Sequence, residues 1–567
     1  MRNLLRVILC GLFLFLLAAS ANAQFRASIQ GTVKDTSGAL VPSATVTLTN
    51  KETNKSETTT TSDGGFYRFS GLAPGAYTLT VEKQSFKKQV VDEIAVEAES
   101  VKGVDVELAA GVISEVVTVT SENVPLETED ANVRKTLTTQ EVLQLPQPGR
   151  DPYELARLAP GVFGTGARSA NGSGTSFPNT SGPSSSSVSI FATEDRQPIS
   201  ANGQRVSSNN YQIDGSSVNS QTWGGGAVIT PSQESVKEVQ ITSSTYSAED
   251  GRNSGAQVKV VSQNGTNQWH GSGFFKIDDP RLNSFNKLPR DIGGGPVRVE
   301  QKNKSFGGSF GGPIRRNRLF FFFAYEGLRS SSNNVNATPV YIETSAYRQA
   351  VIAARAGTLS AKILGDPGIA PRIVSVLTPS CADLTGDVNK GCAVVGNGLD
   401  IGSITGTYGT YVQFFNANGA PTGGGLDGIA DLQKVTFAIP SRFRGNQFNT
   451  RVDFEATSKD HLAVSTYIVP NTATVADSGS ASRPMGDITS KRLSYALGFI
   501  YQRTISAMTL NEARFNVTRW GYDETKTNPN ANFGIPRIEI EALFSDRVRF
   551  GAPRGLNTPG VINEKTI

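Results

Sequence analysis

Few residues of this chain are spaced for catalysis. Residues 307–311 read Gly-Gly-Ser-Phe-Gly and fit the G-x-S-x-G pattern, but a nucleophile there needs a strand-to-helix turn and a histidine partner. The stretch instead lies in an alternating strand pattern. The sequence holds two histidines, His270 and His461, and they are too far apart for the spacing of zinc ligands. With no phosphate-binding glycine loop either, we predict no enzyme activity, no cofactor and no metal site.

The N-terminus has the form of a secretory leader. Arg2 and Arg6 are followed by an apolar run over residues 7–19 and by Ala-Asn-Ala at 21–23. A basic segment, a short apolar segment and an A-x-A site are typical of a signal peptide. The apolar run is shorter than the roughly 20 residues that span a membrane. We predict cleavage between Ala23 and Gln24.

Net charge and cysteine content further restrict the classes of protein to which this chain can belong. The formal net charge is +4 without a basic run, so nothing indicates a nucleic-acid partner. Beyond the leader the chain has two cysteines, Cys381 and Cys392. In an exported protein such a pair is a candidate disulfide.

Residues 26–109 predict a small β-sandwich. Short strands with apolar residues at every second position alternate with turns such as 62–65 and 74–75. This pattern is typical of half-buried antiparallel strands in a two-sheet domain. A further β-prone run follows within the polar stretch 110–135, formed by Glu115, Val116, Val117, Thr118, Val119 and Thr120. It is either an exposed strand that adds to a partner's sheet, or the last sandwich strand or a linker.

Residues 136–265 predict a polar domain with short helices and strands. Thr138 and Glu141 have the spacing of a capping box, and Asp151-Pro152 begins a second helix. The segment 200–219 contains two short strands joined by an Asp214-Gly215 turn. Asn264-Gly265 between alternating runs is typical of a hairpin turn, and it also marks the change from polar to aromatic strands.

From residue 266 the chain predicts a membrane barrel. Seven segments alternate apolar with polar residues over about ten positions, the length and pattern of transmembrane β-strands. They lie near residues 268–277, 302–312, 318–329, 446–456, 460–470, 492–504 and 509–521. Short connections at 313–317, 457–460 and 505–508 alternate with long ones, as periplasmic turns alternate with extracellular loops. Cys381 and Cys392 then lie in the extracellular loop 330–445.

Long stretches of the sequence resemble known families. Residues 29–50 and 60–86 are similar to the carboxypeptidase regulatory-like domain, which implies a transthyretin-like sandwich grouped with carbohydrate-binding-like folds. The stretches SANGQRVSSNNYQIDGSSVN, VQITSSTYSAEDGRNSGAQVKVVSQNGTNQWHGSGFF and FGGSFGGPIRRNRLFFFFAYEGLR resemble TonB-dependent outer-membrane receptors of the Oar-like group. The resemblance makes 136–265 the plug and 266–567 a partial barrel, with the plug motif at Asn202, Gly203, Arg205, Asp214 and Gly215.

The same resemblance implies a function. Residues 115–120 are similar to the TonB box that such receptors place before the plug, although a box nearer the mature N-terminus stays open. The expected partners are the TonB-ExbB-ExbD complex, the outer-membrane lipid and an extracellular ligand, with a glycan among the candidates. The expected activity is energised import across the outer membrane of a Gram-negative bacterium. Surface adhesion or assembly without energy input, and protein export through the barrel, are the alternatives.

The strand count predicts that the chain is an N-terminal fragment. Large plugged transporters have about 22 strands, and seven are predicted here. Seven strands cannot close an antiparallel barrel, and an open sheet in lipid leaves backbone groups without partners.

Overall fold

The computed structural model describes most of the chain. The described residues are 27–112, 116–120, 132–145, 149–164, 190–191, 199–220, 226–246, 250, 253–282, 286–290, 296–297, 301–335, 338–383, 392–402, 426–476, 482–506, 509–527, 538–540, 548–550 and 560–566. The predicted leader, its cleavage site at Ala23 and Gln24, and Glu115 lie outside them. In this part of the chain no helix is both long and apolar enough to cross a membrane.

The first unit is a two-sheet sandwich, as predicted. One sheet has the order β4-β1-β7 with β8 also on β1, and the other begins β3-β2-β5-β6. Ile29, Leu48 and Leu79 are fully or almost fully buried between the sheets. The strands are β1 (Ala27–Asp35), β2 (Thr45–Asn50), β3 (Ser56–Thr60), β4 (Phe66–Leu72), β5 (Gly75–Glu82), β6 (Lys88–Val96), β7 (Val101–Gly103) and β8 (Val106–Leu108).

A ninth strand, β9 (Val116–Thr120), completes the second sheet. It runs parallel to β6, with Val116 opposite Lys88 and Thr120 opposite Asp92. β9 is the last strand in the sheet order, so within the described residues its outer edge has no neighbouring strand. The β-prone run between sandwich and plug is therefore an edge strand of the sandwich.

The second unit, here called the plug, is built on a five-stranded sheet of order β10-β15-β16-β13-β14. All six residues of β16 are buried, because the sheet is covered on both faces. Its elements are β10 (Val133–Thr138), α1 (Thr139–Gln144), a 3-10 helix (Pro152–Leu158), β11 (Val162–Gly164), β12 (Ile199–Ala201), a 3-10 helix (Val206–Ser208), β13 (Asn210–Ile213), β14 (Ser216–Ser217), a 3-10 helix (Gln233–Ser235), β15 (Val236–Ser244) and β16 (Gln257–Ser262).

Both predicted helices of the plug begin where the sequence indicates. Thr138 caps α1, and its backbone N–H donates in return to the Glu141 carboxylate at 2.9 Å. Asp151 caps the second helix by accepting from the Tyr153 N–H at 2.8 Å, with proline at the first helical position. The second helix is 3-10 rather than α.

The third unit is a continuous antiparallel sheet of eight long strands, here called the barrel sheet. It runs in chain order as β17-β20-β21-β26-β27-β28-β29-β32. The eight strands are β17 (His270–Asp278), β20 (Gln301–Arg315), β21 (Leu319–Val335), β26 (Leu432–Glu455), β27 (Asp460–Val475), β28 (Ile488–Ser506), β29 (Thr509–Lys526) and β32 (Gly560–Thr566). The elements between them are a 3-10 helix (Pro280–Leu282), β18 (Asn286–Arg290), β19 (Pro296–Val297), β22 (Val340–Glu343), α2 (Ser345–Ala354), α3 (Leu359–Leu364), a 3-10 helix (Pro367–Ile369), β23 (Ile373–Leu377), a 3-10 helix (Cys381–Asp383), β24 (Ala393–Val395), β25 (Gly398–Asp400), a 3-10 helix (Pro484–Gly486), β30 (Ile538–Ile540) and β31 (Val548–Phe550).

The barrel strands have one apolar exposed face and one polar buried face, as predicted. On β28, Leu493 and Leu497 are 46% and 40% exposed, whereas Ser494 and Gln502 are 2% and 4% exposed. β26 and β29 follow the same rule. An exposed apolar face over a buried polar face is the inverse of a soluble sandwich and is the arrangement of a barrel in lipid.

The connections of the barrel sheet alternate in length. β20 and β21, β26 and β27, and β28 and β29 are separated by two to four residues, and the other connections are long. Several strands are far longer than the roughly 9–11 residues that cross a bilayer, because they extend beyond it toward the long loops. β22, β23 and β25 pair with the extended first part of β26. We call residues 340–437 the loop module.

Two expectations about the barrel region are wrong. The sheet has an eighth strand, β32, beyond the seven that the sequence predicts. Asn264-Gly265 does not close a hairpin, because β16 pairs within the plug and β17 pairs with β20. Gly265 is required for close approach instead, since a Cβ there would lie 2.3 Å from the carbonyl oxygen of Phe321. The stretch is the passage from the plug into the barrel sheet.

Candidate functional site at the contact between plug and barrel

The predicted turn at Asp214-Gly215 forms the tip of a tight hairpin. Both residues have positive φ, 49° and 77°, and they join β13 to β14 with Ile213 opposite Ser216. Two successive residues in this region make the type I′ turn that two-residue hairpins prefer, for which Asp-Gly is a common sequence. The turn places the Asp214 side chain at the barrel wall.

The Asp214 carboxylate links the plug to the barrel sheet. It accepts from the backbone N–H and the hydroxyl of Ser262 at 2.9 and 2.6 Å, and from Nη1 of Arg451 on β26 at 3.1 Å. The Arg451 guanidinium also donates from Nε and Nη2 to both oxygens of Asp453. Because Asp214 is 5% exposed, the pair is shielded from water and is stronger than a surface ion pair.

His461 extends this network toward the end of the strands. Its Nδ1 lies 2.8 Å from Glu455, and its Nε2 lies 3.5 Å from Asp453. The two histidines of the chain are on different strands, as their sequence separation indicates. Among the described residues no group of three or more His, Cys, Asp or Glu side chains is arranged to hold a metal ion.

A second ion-pair cluster joins plug and barrel through Arg150. Its guanidinium lies 3.2 Å from Glu234 of the plug and 3.2 Å from Glu326 on β21. It also stacks 3.7 Å above the ring of Phe274 on β17. Sequence reasoning missed both Arg150 and Arg451. The signal for Arg451 is an arginine two residues before an aspartate on the inward face of a strand, but the plug residue it contacts is more than 200 positions away.

The remaining plug-motif residues lie on another turn. Asn202 and Gly203 both have positive φ, and the Asn202 side chain donates to the Ser243 carbonyl at 2.8 Å. Arg205 is exposed beside this turn. The motif is therefore divided between an exposed turn and the hairpin at the barrel wall.

The candidate TonB box is accessible along β9. Val116 and Val117 are 56% and 37% exposed, which is unusual for valines of a sandwich strand. An edge strand with exposed apolar side chains is a template for strand addition.

The structure also shows where the cysteine pair and the G-x-S-x-G stretch lie. Cys381 and Cys392 form a disulfide that packs against a small apolar cluster of the loop module, which includes Tyr341 and Leu399. Ser309 lies in the middle of β20, where its hydroxyl is 2.9 Å from that of Ser272. It is therefore not at a nucleophile turn.

Sequence comparison agrees with this architecture. Residues 261–558 match the family model described as outer membrane beta barrel domain, and residues 28–109 match the carboxypeptidase regulatory-like domain. The chain belongs to the outer membrane beta barrel domain family, which places it in the outer membrane of a Gram-negative bacterium.

Among characterised proteins, the chain is similar to the TonB-dependent transporter Oar of Myxococcus xanthus. The two are 29% identical over 313 residues, which are 55% of this chain and 27% of the transporter. The resemblance to Oar-like TonB-dependent receptors is thereby confirmed. The chain spans about a quarter of the length of this relative.

Two solved outer-membrane proteins are similar over larger parts of the chain. The transporter YddB from Escherichia coli is 11% identical, with 76% of this chain and 44% of that chain covered and a TM-score of 0.42. The siderophore receptor PirA from Acinetobacter baumannii is 13% identical, with coverages of 72% and 46% and a TM-score of 0.31.

Proposed function

We propose that this chain is part of an energised importer of the outer membrane. An external ligand binds at the long loops and the outward face of the plug. A TonB-like protein of the TonB-ExbB-ExbD complex then binds β9 in the periplasm. Work from the inner-membrane proton gradient displaces the plug and lets the ligand pass.

The observation that carries this proposal is the position of β9. Among the residues that the structure describes, no strand lies on the outer edge of β9, and β9 precedes the plug in the chain. A partner strand that adds to this edge gains backbone hydrogen bonds without disturbing the sandwich core. A pull on that strand is transmitted along the chain to β10, the first strand of the plug sheet.

The contacts between plug and barrel support a plug with two discrete positions. Asp214 with Arg451, and Arg150 with Glu326, are ion pairs at a largely buried interface. Removing one partner from a buried pair is costly because the other charge stays unpaired. The resting plug is therefore held in place until work is supplied, and a ligand triggers release only if it favours one plug position over the other.

The loop module supports a ligand site outside the cell. It contains helices and a disulfide, and its Glu343 accepts from Nη1 and Nη2 of Arg483 at 2.6 and 2.7 Å; Arg483 itself lies outside the module and is 2% exposed. This pair ties the loop before β28 to β22 of the module.

Disulfide trapping in cells tests the proposal. In the full-length gene, Val117→Cys is combined with a TonB that carries a cysteine in its strand-adding segment. Trapping that increases with ligand supports energised import. The matched control is Val112→Cys, an exposed valine five residues earlier and outside β9, which should trap poorly.

Two outcomes would contradict the proposal. Equal trapping at residues 112 and 117 would show collision rather than strand addition. Absence of trapping at Val117 and along the mature N-terminus, with a correctly inserted barrel, would overturn energised import in favour of an adhesin or an export port.

A further inference from the structure

One short segment of the sandwich, residues 98–99, makes several contacts with the plug sheet. The carboxylate of Glu99 accepts from Nζ of Lys259 on β16 at 2.8 Å with each oxygen, and Lys259 also binds Asp250 at 2.8 Å. Burial lowers the pKa of Lys259, but the two carboxylates more than offset this and the net pKa is raised. Lys259 is therefore a charged, nearly buried cation, and one of its two carboxylate partners belongs to the sandwich.

The backbone of the preceding residue is bound as well. The Ala98 N–H donates to Glu238 of β15 at 3.0 Å, and its carbonyl accepts from Gln240 of β15 at 3.1 Å. Ala98 is 1% exposed and packs against Val261 of β16. Glu238, Gln240 and Lys259 thus bind residues 98–99 of the sandwich through both charge and backbone.

The sandwich also contacts the barrel sheet at its short-turn end. Lys55 lies 3.1 Å from Glu455 at the end of β26. The Asn54 side chain donates to Asn317 in the turn between β20 and β21 at 3.4 Å. The Gln502 side chain on β28 donates to the Gly71 carbonyl at 2.8 Å.

One turn of the sandwich bridges the two partners. Glu52 binds Lys237 of the plug at 2.7 Å, and its carbonyl accepts from the Asn267 N–H in the passage between plug and barrel at 2.9 Å. Two and three residues later, Asn54 and Lys55 contact the barrel sheet. Residues 52–55 therefore hold plug and barrel together from the short-turn side.

The interface of the sandwich with the plug and the barrel has the composition of one that can separate. The sandwich has an apolar core of its own, and the plug core is a different cluster that continues into the barrel wall. Apart from the small contact of Ala98 with Val261, the bonds between the units described above are polar. A cavity of about 90 Å³ lies between the three units. Polar interfaces between domains of one chain are typical of domains that move relative to one another.

We propose that the sandwich is a latch, formed by residues 52–55, 71 and 98–99, that fastens the plug to the barrel and must detach before the plug can move. Its partners are the plug sheet, the turn between β20 and β21, and the nearby ends of β26 and β28. β9 belongs to the same sandwich and pairs with β6. A pull on β9 therefore acts on the contacts of the latch before it acts on the plug. This consequence for transport rests on the proposed function, whereas the latch itself does not.

Hydrogen exchange tests the latch without any assumption about transport. In the purified full-length protein, Lys55→Ala combined with Glu99→Gln removes one charge contact to the barrel and one to the plug. We expect amide exchange in β15 and β16 to accelerate at least tenfold, with unchanged exchange in β27 and β28. Lys34→Ala combined with Glu107→Gln is the matched control, because both residues are exposed on β1 and β8 and the described part of the chain shows no bond from them to plug or barrel. Exchange in β15 and β16 equal to that of the control would overturn the latch.

A reversible cross-link tests its consequence. Asn54→Cys with Asn317→Cys should form a disulfide between sandwich and barrel, keep ligand binding at the cell surface and reduce uptake at least tenfold until reductant is added. Thr47→Cys with Thr58→Cys places a disulfide within the sandwich, where the two hydroxyls are 3.2 Å apart, and should leave uptake unchanged. Cross-linked protein that imports at the uncross-linked rate would overturn a latch that must open.

Absence of energy-dependent uptake in the unaltered protein would instead overturn the proposed function, and the exchange experiment would still decide the latch.

Discussion

Nη1 of Arg451, near the short-turn end of β26, lies 3.1 Å from Oδ1 of Asp214 at the tip of the plug hairpin. The two residues are 237 positions apart in sequence. Arg451 is oriented by its neighbour Asp453 and presents Nη1 to the plug, where it donates to Asp214 and to the Ser262 hydroxyl. This ion pair fixes where the hairpin meets the barrel wall.

Replacement of Asp214 should loosen the plug. Asp214→Asn keeps the turn but removes the charge, so that hydrogen bonds to a charged group are lost at a cost of about 1–3 kcal/mol. We expect faster hydrogen exchange in β13 and β16 and greater sensitivity of cells to large antibiotics. Asp63→Asn, at an exposed sandwich turn, is the control. If Asp214→Asn combined with Arg451→Gln cost as much as the sum of the single changes, the pair would not be coupled.

Substitution at the passage from plug to barrel should impair folding. A Cβ at Gly265 would lie 2.3 Å from the Phe321 carbonyl oxygen, whereas one at Gly273 on β17 would meet nothing within 4 Å. Gly265→Ala should therefore destabilise the protein by about 1–3 kcal/mol through overpacking, and Gly273→Ala should have little effect. The urea midpoint of the folded barrel measures both. Equal midpoints for the two variants would contradict the close approach.

The stability of the contact between sandwich and plug should depend on pH. Burial raises the pKa of Glu238 to about 7, opposed by the Ala98 N–H and Lys237 and reinforced by Glu97 and Glu52. The folded protein thus binds a proton that the unfolded chain releases near its ordinary pKa of 4.5. Stability contributed by this group is full below pH 4.5 and falls as the pH rises to about 7, by at most about 3 kcal/mol.

Glu238→Gln should remove this dependence, because the amide oxygen still accepts from Ala98 but does not ionise. Chemical unfolding of wild type and variant between pH 4.5 and 8 measures the difference. Parallel curves for the two proteins would show that Glu238 titrates at its ordinary pKa.

Loss of the disulfide should destabilise the loop module and leave the barrel unaffected. Cys381 and Cys392 close a short loop, for which chain entropy assigns roughly 3 kcal/mol. Cys381→Ser with Cys392→Ser should speed protease cleavage within 340–437 on intact cells and leave the barrel inserted. Wild-type cells treated with reductant should behave in the same way. Unchanged cleavage would mean that the apolar cluster around Tyr341 holds the module by itself.

The sequence by itself determined the local and periodic features. Alternation along β26, β28 and β29 predicted which residues face outward, because a strand places successive side chains on opposite faces. Capping chemistry at Thr138 and Asp151 located the helix starts, and Asp214-Gly215 located the hairpin turn. Each of these depends on residues within a few positions of one another.

Only the tertiary structure decided how these parts meet. Asn264-Gly265 has the sequence of a hairpin turn, but contacts with Phe321 and the separate pairing of β16 and β17 outweigh the local preference. The polar strand β32 lacks an alternating pattern and was found only through its pairing with β29. The distant partners of Arg150, Arg451 and Glu99, which are Glu234, Asp214 and Lys259, are 84 to 237 positions away. No regular residue spacing in the sequence predicts such contacts, because they depend on how the sandwich, plug and barrel pack together.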